Sequence, residues 1–145
     1  MKQLTLIFFI VIGITIHLQG QVKHKIGDLF GGGIVFSVSD DGLHGLIAET
    51  QDQGQCIWDD AASLIKNANN HSAEAKKFLD WRLPTQGELN ILFEKREMIG
   101  KFGKSPYWSS TEFEGGNAWI QSFNSGKQGN MNKGFTMFIR SVRSF

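Results

Sequence analysis

The sequence predicts an α+β domain in which an N-terminal β-hairpin and two helices precede a twisted antiparallel sheet. Three observations carry this prediction: an Asp-Gly turn between two apolar runs, a helix-capping pattern from Thr85 to Glu88, and a β-rich segment from Tyr107 onward. Strands and helices therefore fall into separate blocks, which is typical of the α+β class.

The hairpin is predicted from two apolar runs and the turn between them. Ile34 to Val38 is apolar and rich in β-branched residues, as in a buried strand. Asp40 to Gly42 interrupts this run, and Leu43 to Glu49 resumes it. An Asp-Gly pair between two such runs strongly indicates a hairpin.

The first helix is predicted after Asp59 and Asp60, either of which is available as an N-cap. Its apolar residues recur at helical spacing: Ala61, Leu64, Ile65 and Ala68. The second helix begins at the capping box from Thr85 to Glu88 and ends at Gly100. Its apolar face consists of Leu89, Leu92, Phe93 and Ile99.

The C-terminal part of the chain is predicted to supply the sheet. Short strands are expected over 107–111 and 117–123, and a polar connection over 124–134 follows them. The last strand, over 135–142, is apolar on most of both faces, which indicates that it is buried.

The N-terminus predicts export. Lys2 precedes an uncharged apolar run from Leu4 to Leu18, and Gly20 offers a small residue for cleavage, so we interpret residues 1–20 as a signal peptide. The alternative is an uncleaved anchor, although the run is shorter than the roughly 20 residues of a spanning helix. We expect one domain over residues 21–145 that is secreted, periplasmic or on the surface of a bacterium, without membrane insertion after cleavage.

Charge and cysteine content narrow the function classes. Without Lys2 the basic residues equal the acidic residues in number, which gives no field to attract nucleic acid. Cys56 is the only cysteine, so no internal disulfide can form, and we expect it to be a small buried residue rather than a reactive thiol.

An ordered set of motifs covers nearly all of the chain after the leader. The set resembles the Lcl C-terminal domain family of exported bacterial domains. The resemblance implies a C-type-lectin-like fold and a role in ligand binding or adhesion. The residues that carry it are Gly27-Asp28 with Gly31 to Phe36, His44 to Leu46, Trp81 to Thr85, Glu88-Leu89, Tyr107 to Glu112, Ala118-Trp119 and Val142-Arg143.

Most of these motif residues are expected to be structural. Trp81 and Trp108 are large enough to fill a junction between helices and sheet. Arginines within apolar segments need acceptors, so we expect ion pairs with acids such as Glu88 or Glu112. The arginines concerned are Arg82, Arg140 and Arg143.

The polar and aromatic residues of the C-terminal strands are the candidate ligand-binding residues. Strand pairing would place a ring face beside amide donors and acceptors, an arrangement that suits sugars or polar peptides. For Trp119 we favour a position in the core, and the asparagines also suit turns, so both alternatives stay open. The candidates are Glu112, Glu114, Asn117, Trp119, Asn124, Lys127, Asn130 and Asn132.

We predict no metal, no cofactor and no catalysis. Glu112, Glu114 and Asn117 offer only three oxygens, whereas Ca²⁺ takes about six to eight ligands. The histidines His24, His44 and His71 lack an accompanying nucleophile or zinc-binding spacing.

The predicted function is an exported binding or adhesion module for a glycan or another surface polymer, with a surface protein as a possible partner. The alternative is a structural or assembly subunit of a cell-envelope complex.

Overall fold

The computed structural model describes residues 21–145, and the predicted leader, residues 1–20, lies outside the described residues. The strands of this part are β1 (Leu29–Phe30), β2 (Gly33–Val38), β3 (Gly45–Glu49), β4 (Gly54–Cys56), β5 (Tyr107–Phe113), β6 (Asn117–Gln121), β7 (Gln128–Asn132), β8 (Met137–Ile139) and β9 (Val142–Ser144). Its α-helices are α1 (Ala61–Lys66), α2 (Gln86–Glu94) and α3 (Arg96–Ile99), accompanied by three short 3₁₀ turns. No helix of this part combines the length and apolar character needed to cross a bilayer.

The strands form two sheets. The first has the order β1-β2-β3-β9 and the second has the order β4-β8-β5-β6-β7. Neighbours are antiparallel except β5 and β8, which pair in parallel through Tyr107 and Phe138. The α+β class is thus confirmed, and the predicted antiparallel sheet is corrected in one respect, because β5 and β8 pair in parallel.

The N-terminal hairpin is confirmed. β2 and β3 pair antiparallel from Gly33 opposite Glu49 to Val38 opposite Gly45. The turn between them uses Gly42 with φ +76°, a conformation that glycine adopts without strain.

The two predicted helices are present but are shorter and more interrupted than the pattern suggests. α1 follows a 3₁₀ turn, the Asp60 side chain makes no capping hydrogen bond, and Ala68 lies beyond the helix. The cap expected there is therefore absent. The second helical segment breaks at Lys95 into α2 and α3, and Gly100 with φ +71° ends it as predicted.

The capping box of α2 is confirmed. The Glu88 N–H donates to Thr85 Oγ1 at 3.2 Å, and the Thr85 N–H donates to Glu88 Oε2 at 2.8 Å. These bonds satisfy amides that a helix start otherwise leaves unpaired. Leu89 and Leu92 consequently point into the core, where both are buried.

Two C-terminal expectations are corrected. Residues 128–132, predicted within a polar connection, form strand β7, because Asn130 and its neighbours pair with β6 and need only one apolar face. The predicted last strand is divided: β8 belongs to the second sheet and β9 to the first. Arg140 and Ser141 form the step between them.

Trp81 and Trp108 fill the interior as predicted. Trp81 is 7% exposed and Trp108 is 0% exposed, and their indole N–H groups donate to the carbonyls of Ala75 and Cys56. Leu83 packs against the core clusters of both rings. The aromatic residues therefore join the 81–83 segment to the second sheet.

Arg140 joins the two sheets. It is fully buried, and its Nε donates to Asp52 Oδ1 at 2.8 Å. Its Nη atoms donate to the carbonyls of Glu49 at 3.0 Å, Lys101 at 2.6 Å and Gly100 at 3.4 Å. Every one of these partners is an oxygen, so the buried cation is both paired and hydrogen-bonded.

The expected arginine pairs are present in part. Arg82 pairs with Glu88 at 2.7 Å, as predicted, and Arg143 pairs with Asp80 at the same distance. Glu112 pairs with Lys133 instead of an arginine, because Glu112 lies near the end of β5 and Lys133 directly follows β7 at the same end of the hairpins.

Replacing Asp52 by alanine should strongly destabilise the domain, because it leaves the Arg140 guanidinium buried without its carboxylate. We expect a loss of about 3–5 kcal/mol in the free energy of unfolding, measured by urea denaturation. Tyr107→Phe is the control, since it removes the hydrogen bond that the hydroxyl donates to Asp52 and the one that it accepts from the Gly103 N–H, but keeps the ion pair, for a loss of about 1–2 kcal/mol. Equal losses in the two variants would contradict the assignment.

Because of Glu88, the free energy of unfolding should vary with pH in the acid range. Burial raises the pKa of Glu88, but the hydrogen bonds from Arg82 and from the Thr85 N–H outweigh burial and hold that pKa below its ordinary value. A carboxyl group whose pKa is lowered by folding stabilises the fold at pH values above its ordinary pKa. This contribution disappears as the pH falls through the pKa that the group has in the folded protein.

We therefore expect Glu88→Gln to lower the free energy of unfolding by about 1 kcal/mol at neutral pH. The difference in free energy of unfolding between the variant and the unmodified protein should decrease as pH falls below 4.5, the ordinary pKa of this group. Urea denaturation at a series of pH values measures this difference. A difference that stays constant at acid pH would refute the proposed pH dependence.

Candidate functional site

The outer face of the second sheet carries half of the predicted ligand-binding residues. Residues directly opposite one another in antiparallel strands share a face. Asn117 lies opposite Asn132 and Trp119 lies opposite Asn130, so these four side chains stand on one side of β6 and β7. Phe113 of β5 lies opposite Asn117 and adds an aromatic ring to the same side.

Helix α2 covers the other half of this face. There the Gln121 amide donates to Asn90 Oδ1 at 3.0 Å, and the Gln86 amide donates to Gln128 Oε1 at 3.1 Å. The Gln128 amide in turn donates to Gln121 Oε1 at 3.0 Å. These amides satisfy one another, so the covered half is structural.

The uncovered half, which we name the platform, consists of Phe113, Asn117, Trp119, Asn130 and Asn132. The Phe113 and Trp119 rings meet edge to face, with centroids 5.5 Å apart and an interplanar angle of 86°. Trp119 is half-buried and belongs to none of the core clusters of the described chain, so the core position favoured for it is wrong. The reason is register, which turns its ring away from buried Ala118 and Ile120.

The indole N–H of Trp119 differs from those of the other tryptophans. Trp58 donates to the Ser109 carbonyl at 2.8 Å, and Trp81 and Trp108 also donate to carbonyls. Within residues 21–145 Trp119 Nε1 has no acceptor, and no side-chain nitrogen or oxygen of these residues is buried without a partner. The Trp119 N–H is therefore accessible to an external acceptor.

The asparagines of the platform also keep unused hydrogen-bonding groups. Asn117 Nδ2 donates to Asn130 Oδ1 at 3.0 Å, and Asn132 Oδ1 accepts from the Gly134 N–H at 3.0 Å. Asn130 Nδ2, Asn132 Nδ2 and Asn117 Oδ1 have no partner among the described residues. With the Trp119 N–H, the platform offers three donors and one acceptor to a ligand.

Two predicted residues lie beside the platform but not on it. Glu112 lies opposite Ala118, which places it on the other face, and it accepts from Lys133 Nζ at 2.7 Å. Lys133 also lies 4.0 Å above the Trp58 ring. Glu114 is exposed in the turn between β5 and β6.

Two further predicted residues lie at the opposite end of the hairpin. Asn124 and Lys127 belong to the connection from β6 to β7, beyond the half that α2 covers. Asn124 instead lines a cleft of about 280 Å³ with Lys101 and Phe102. The structure thus brings Asn117, Trp119, Asn130 and Asn132 together and separates the other four candidates from them.

The described residues contain no cluster of three or more histidine, cysteine or acidic side chains suited to a metal ion. His71 is engaged at both nitrogens: Nδ1 contacts Glu49 Oε2 at 2.6 Å, and Nε2 contacts the Ile65 carbonyl at 2.5 Å. Burial raises the pKa of Cys56 to about 11, with a further contribution from Asp60, so the thiol is protonated at neutral pH.

A second cleft, of about 430 Å³, lies between α1 and the 81–83 segment. Two of its polar side chains are already committed: the Trp58 N–H binds the Ser109 carbonyl, and the Arg82 guanidinium binds Glu88 with two bonds. The side chains of Asp59, Lys66 and Ser110 at this cleft make no hydrogen bond among the described residues. The platform is the better candidate because it combines unpaired polar groups with an aromatic ring pair.

The sequence profile of the Lcl C-terminal domain matches residues 37–143. The chain belongs to the Lcl C-terminal domain family. A comparison with curated proteins gives no match. Family membership agrees with the resemblance seen in the ordered motifs, and the three strands that carry the platform lie within the matched range.

Phe113 is the platform residue that the sequence analysis did not select. The Gly115-Gly116 turn could have revealed it, because a tight turn between β5 and β6 places Phe113 opposite Asn117. The loss of regular pairing between Trp108 and Glu112 prevents the same inference from the other end of β5.

Amide replacements should separate the two halves of this face. Gln121→Ala breaks a buried network and should lower the free energy of unfolding by about 1–3 kcal/mol. Asn130→Ala, at an exposed position, should change it by no more than about 0.5 kcal/mol. Chemical denaturation measures both, and a large loss on replacing Asn130 would assign it a structural role.

Proposed function

We propose that this protein is an exported, non-catalytic binding module with a C-type-lectin-like fold, and that its platform binds a glycan or another surface polymer. The carrying observation is a partly exposed edge-to-face ring pair beside four unpaired polar groups. Sugars present apolar C–H faces and hydroxyl groups together, so a ring and directed amides suit them.

The arrangement of the sheets supports an adhesive role. β9 pairs with β3, so the N-terminal hairpin and the C-terminal strand share the first sheet. The platform lies on the second sheet, whereas Gln21 and Phe145, at the two ends of the described chain, line one cleft beside Phe30 of the first sheet. A module attached through either end would therefore have its attachment point beside the sheet that does not carry the platform.

The second candidate function is an assembly subunit of an envelope complex. It is favoured by apolar side chains at the edge of the first sheet, where Leu29 of β1 is 80% exposed and Val22 is 74% exposed. Exposed apolar residues at a sheet edge are typical of surfaces that bind other proteins.

A glycan array probed with residues 21–145 tests the proposal. We expect binding to a subset of glycans, and we expect Trp119→Ala to weaken it by about tenfold or more, since an aromatic contact and one donor are lost. Leu79→Ala is the matched control, because Leu79 is 96% exposed and lies outside the platform. Circular dichroism verifies that both variants are folded.

A pulldown from envelope extract distinguishes the second candidate. An array without binding, together with a stable protein partner whose capture depends on Leu29 and not on Trp119, would reject the glycan proposal in favour of assembly.

A further inference from the structure

We infer that the ligand of the platform is an uncharged polysaccharide, bound along its length rather than at a chain end. This inference rests on the proposed function and specifies the class of glycan. Three properties of the platform support it: its lack of charge, its mixture of donors and acceptor, and its open shape.

The platform carries no ionisable side chain. Its members are two aromatic residues and three asparagines. The nearest cation in the neighbouring segment, Lys133, is held at 2.7 Å by Glu112 and lies over the Trp58 ring. Glu114, in the adjoining turn, is itself an anion. A sulfate or carboxylate on the platform would thus lose water without gaining a counterion, which is unfavourable.

The unpaired groups also match hydroxyls better than anions. Asn130 Nδ2, Asn132 Nδ2 and the Trp119 N–H donate, whereas Asn117 Oδ1 accepts. A hydroxyl group both donates and accepts, so neighbouring sugar hydroxyls can satisfy all four groups. A carboxylate can only accept hydrogen bonds, so it would leave Asn117 Oδ1 without a donor or bring two acceptor oxygens together.

The shape of the platform suits the middle of a chain. It spans two residues along the strands and three strands across, or about 7 Å by about 10 Å. The clefts described above lie elsewhere, at Lys101 and at Trp58, and neither is lined by a platform residue. Helix α2 borders the platform at the end where Gln121 and Gln128 lie. Neither of these clefts encloses a terminal sugar on the platform, and a polymer can continue past the edges that α2 does not border.

The ring geometry indicates one stacking position. Because the Phe113 and Trp119 planes are nearly perpendicular, a single flat sugar cannot lie against the faces of both rings. The asparagines of β7 stand one strand away from Trp119 and can reach an adjacent sugar unit. Two consecutive units can therefore bind together, one on the ring and one at the amides.

Affinity electrophoresis tests the inference with neutral polymers (hydroxyethyl cellulose, galactomannan and β-1,3-glucan) and acidic ones (alginate and polygalacturonate). We expect at least one neutral polymer to retard the protein, with less than about a twofold change between about 0.05 M and about 0.5 M NaCl. Acidic polymers should not retard it. A hexasaccharide of the retarding polymer should compete about tenfold better than the monosaccharide, because it engages both positions.

Variants tie this result to the platform. Trp119→Ala should abolish the retardation, and the double variant Asn130→Ala with Asn132→Ala should weaken it about tenfold while keeping the ring. Leu79→Ala should leave it unchanged. The asparagine variant keeps the test valid if loss of Trp119 disturbs the fold.

Three outcomes overturn the inference. Retardation only by acidic polymers, lost in high salt, would show a charged ligand. A monosaccharide that competes as well as the hexasaccharide would show recognition of a chain end. Either result leaves the proposed function standing if Trp119→Ala still prevents binding. Failure of every polysaccharide, together with an array without binding, removes the proposed function as well.

Discussion

The fold depends on how one buried cation, Arg140, holds two sheets together. The chain passes between the sheets twice, through the 50–53 segment and through Arg140 and Ser141. At this place the Gln53 side chain accepts from the Ser141 N–H at 2.6 Å, and Ser141 Oγ donates to Glu49 at 3.2 Å. Arg140 bonds to the first passage and also to the loop after α3.

The same contact explains an unusual backbone conformation. Lys101 has φ +57°, which is unfavourable for a residue with a side chain. Its carbonyl accepts from Arg140 at 2.6 Å, and the guanidinium lies 4.1 Å above the Phe102 ring. The loop is therefore fixed in position by the arginine, and it brings Phe102 against Tyr107 at the start of β5.

These constraints determine where the open surface lies. β8 ends directly before Arg140 and pairs with β5, which in turn pairs with β6. α2, held by its capping box, packs against β5 and β6 and shields Gln121. The helix has only nine residues, so it covers one end of the face and leaves Trp119 and Asn130 beyond its reach. The platform is thus a product of helix length and strand register together.

Local patterns in the sequence predicted local structure well. The Asp-Gly turn and the capping box involve residues within about five positions of each other, so their physics is visible in a short segment. The division of the last strand was not predictable in this way. It depends on Arg140 reaching Asp52, which is 88 positions away. The alternation of apolar residues reveals burial but not which sheet provides it.

The candidate site was predicted in part for the same reason. Residue type alone indicates the amides and Trp119, and the sequence of β7 predicts a connection because asparagine and glycine are common in turns. Register is a long-range property, and it alone separates Glu112 from Asn117. Asn124 and Lys127 are near in sequence but are carried to the far end of the same hairpin.

The position of Cys56 makes the reactivity of its thiol a measure of local unfolding in the domain. The sulfur lies in β4, the edge strand held to β8, where it is 7% exposed. Because it is the only thiol of the chain and stays protonated when covered, an alkylating reagent can modify it rapidly only after this edge has peeled away. The rate of alkylation in native buffer therefore measures how often β4 separates from β8 beside Arg140.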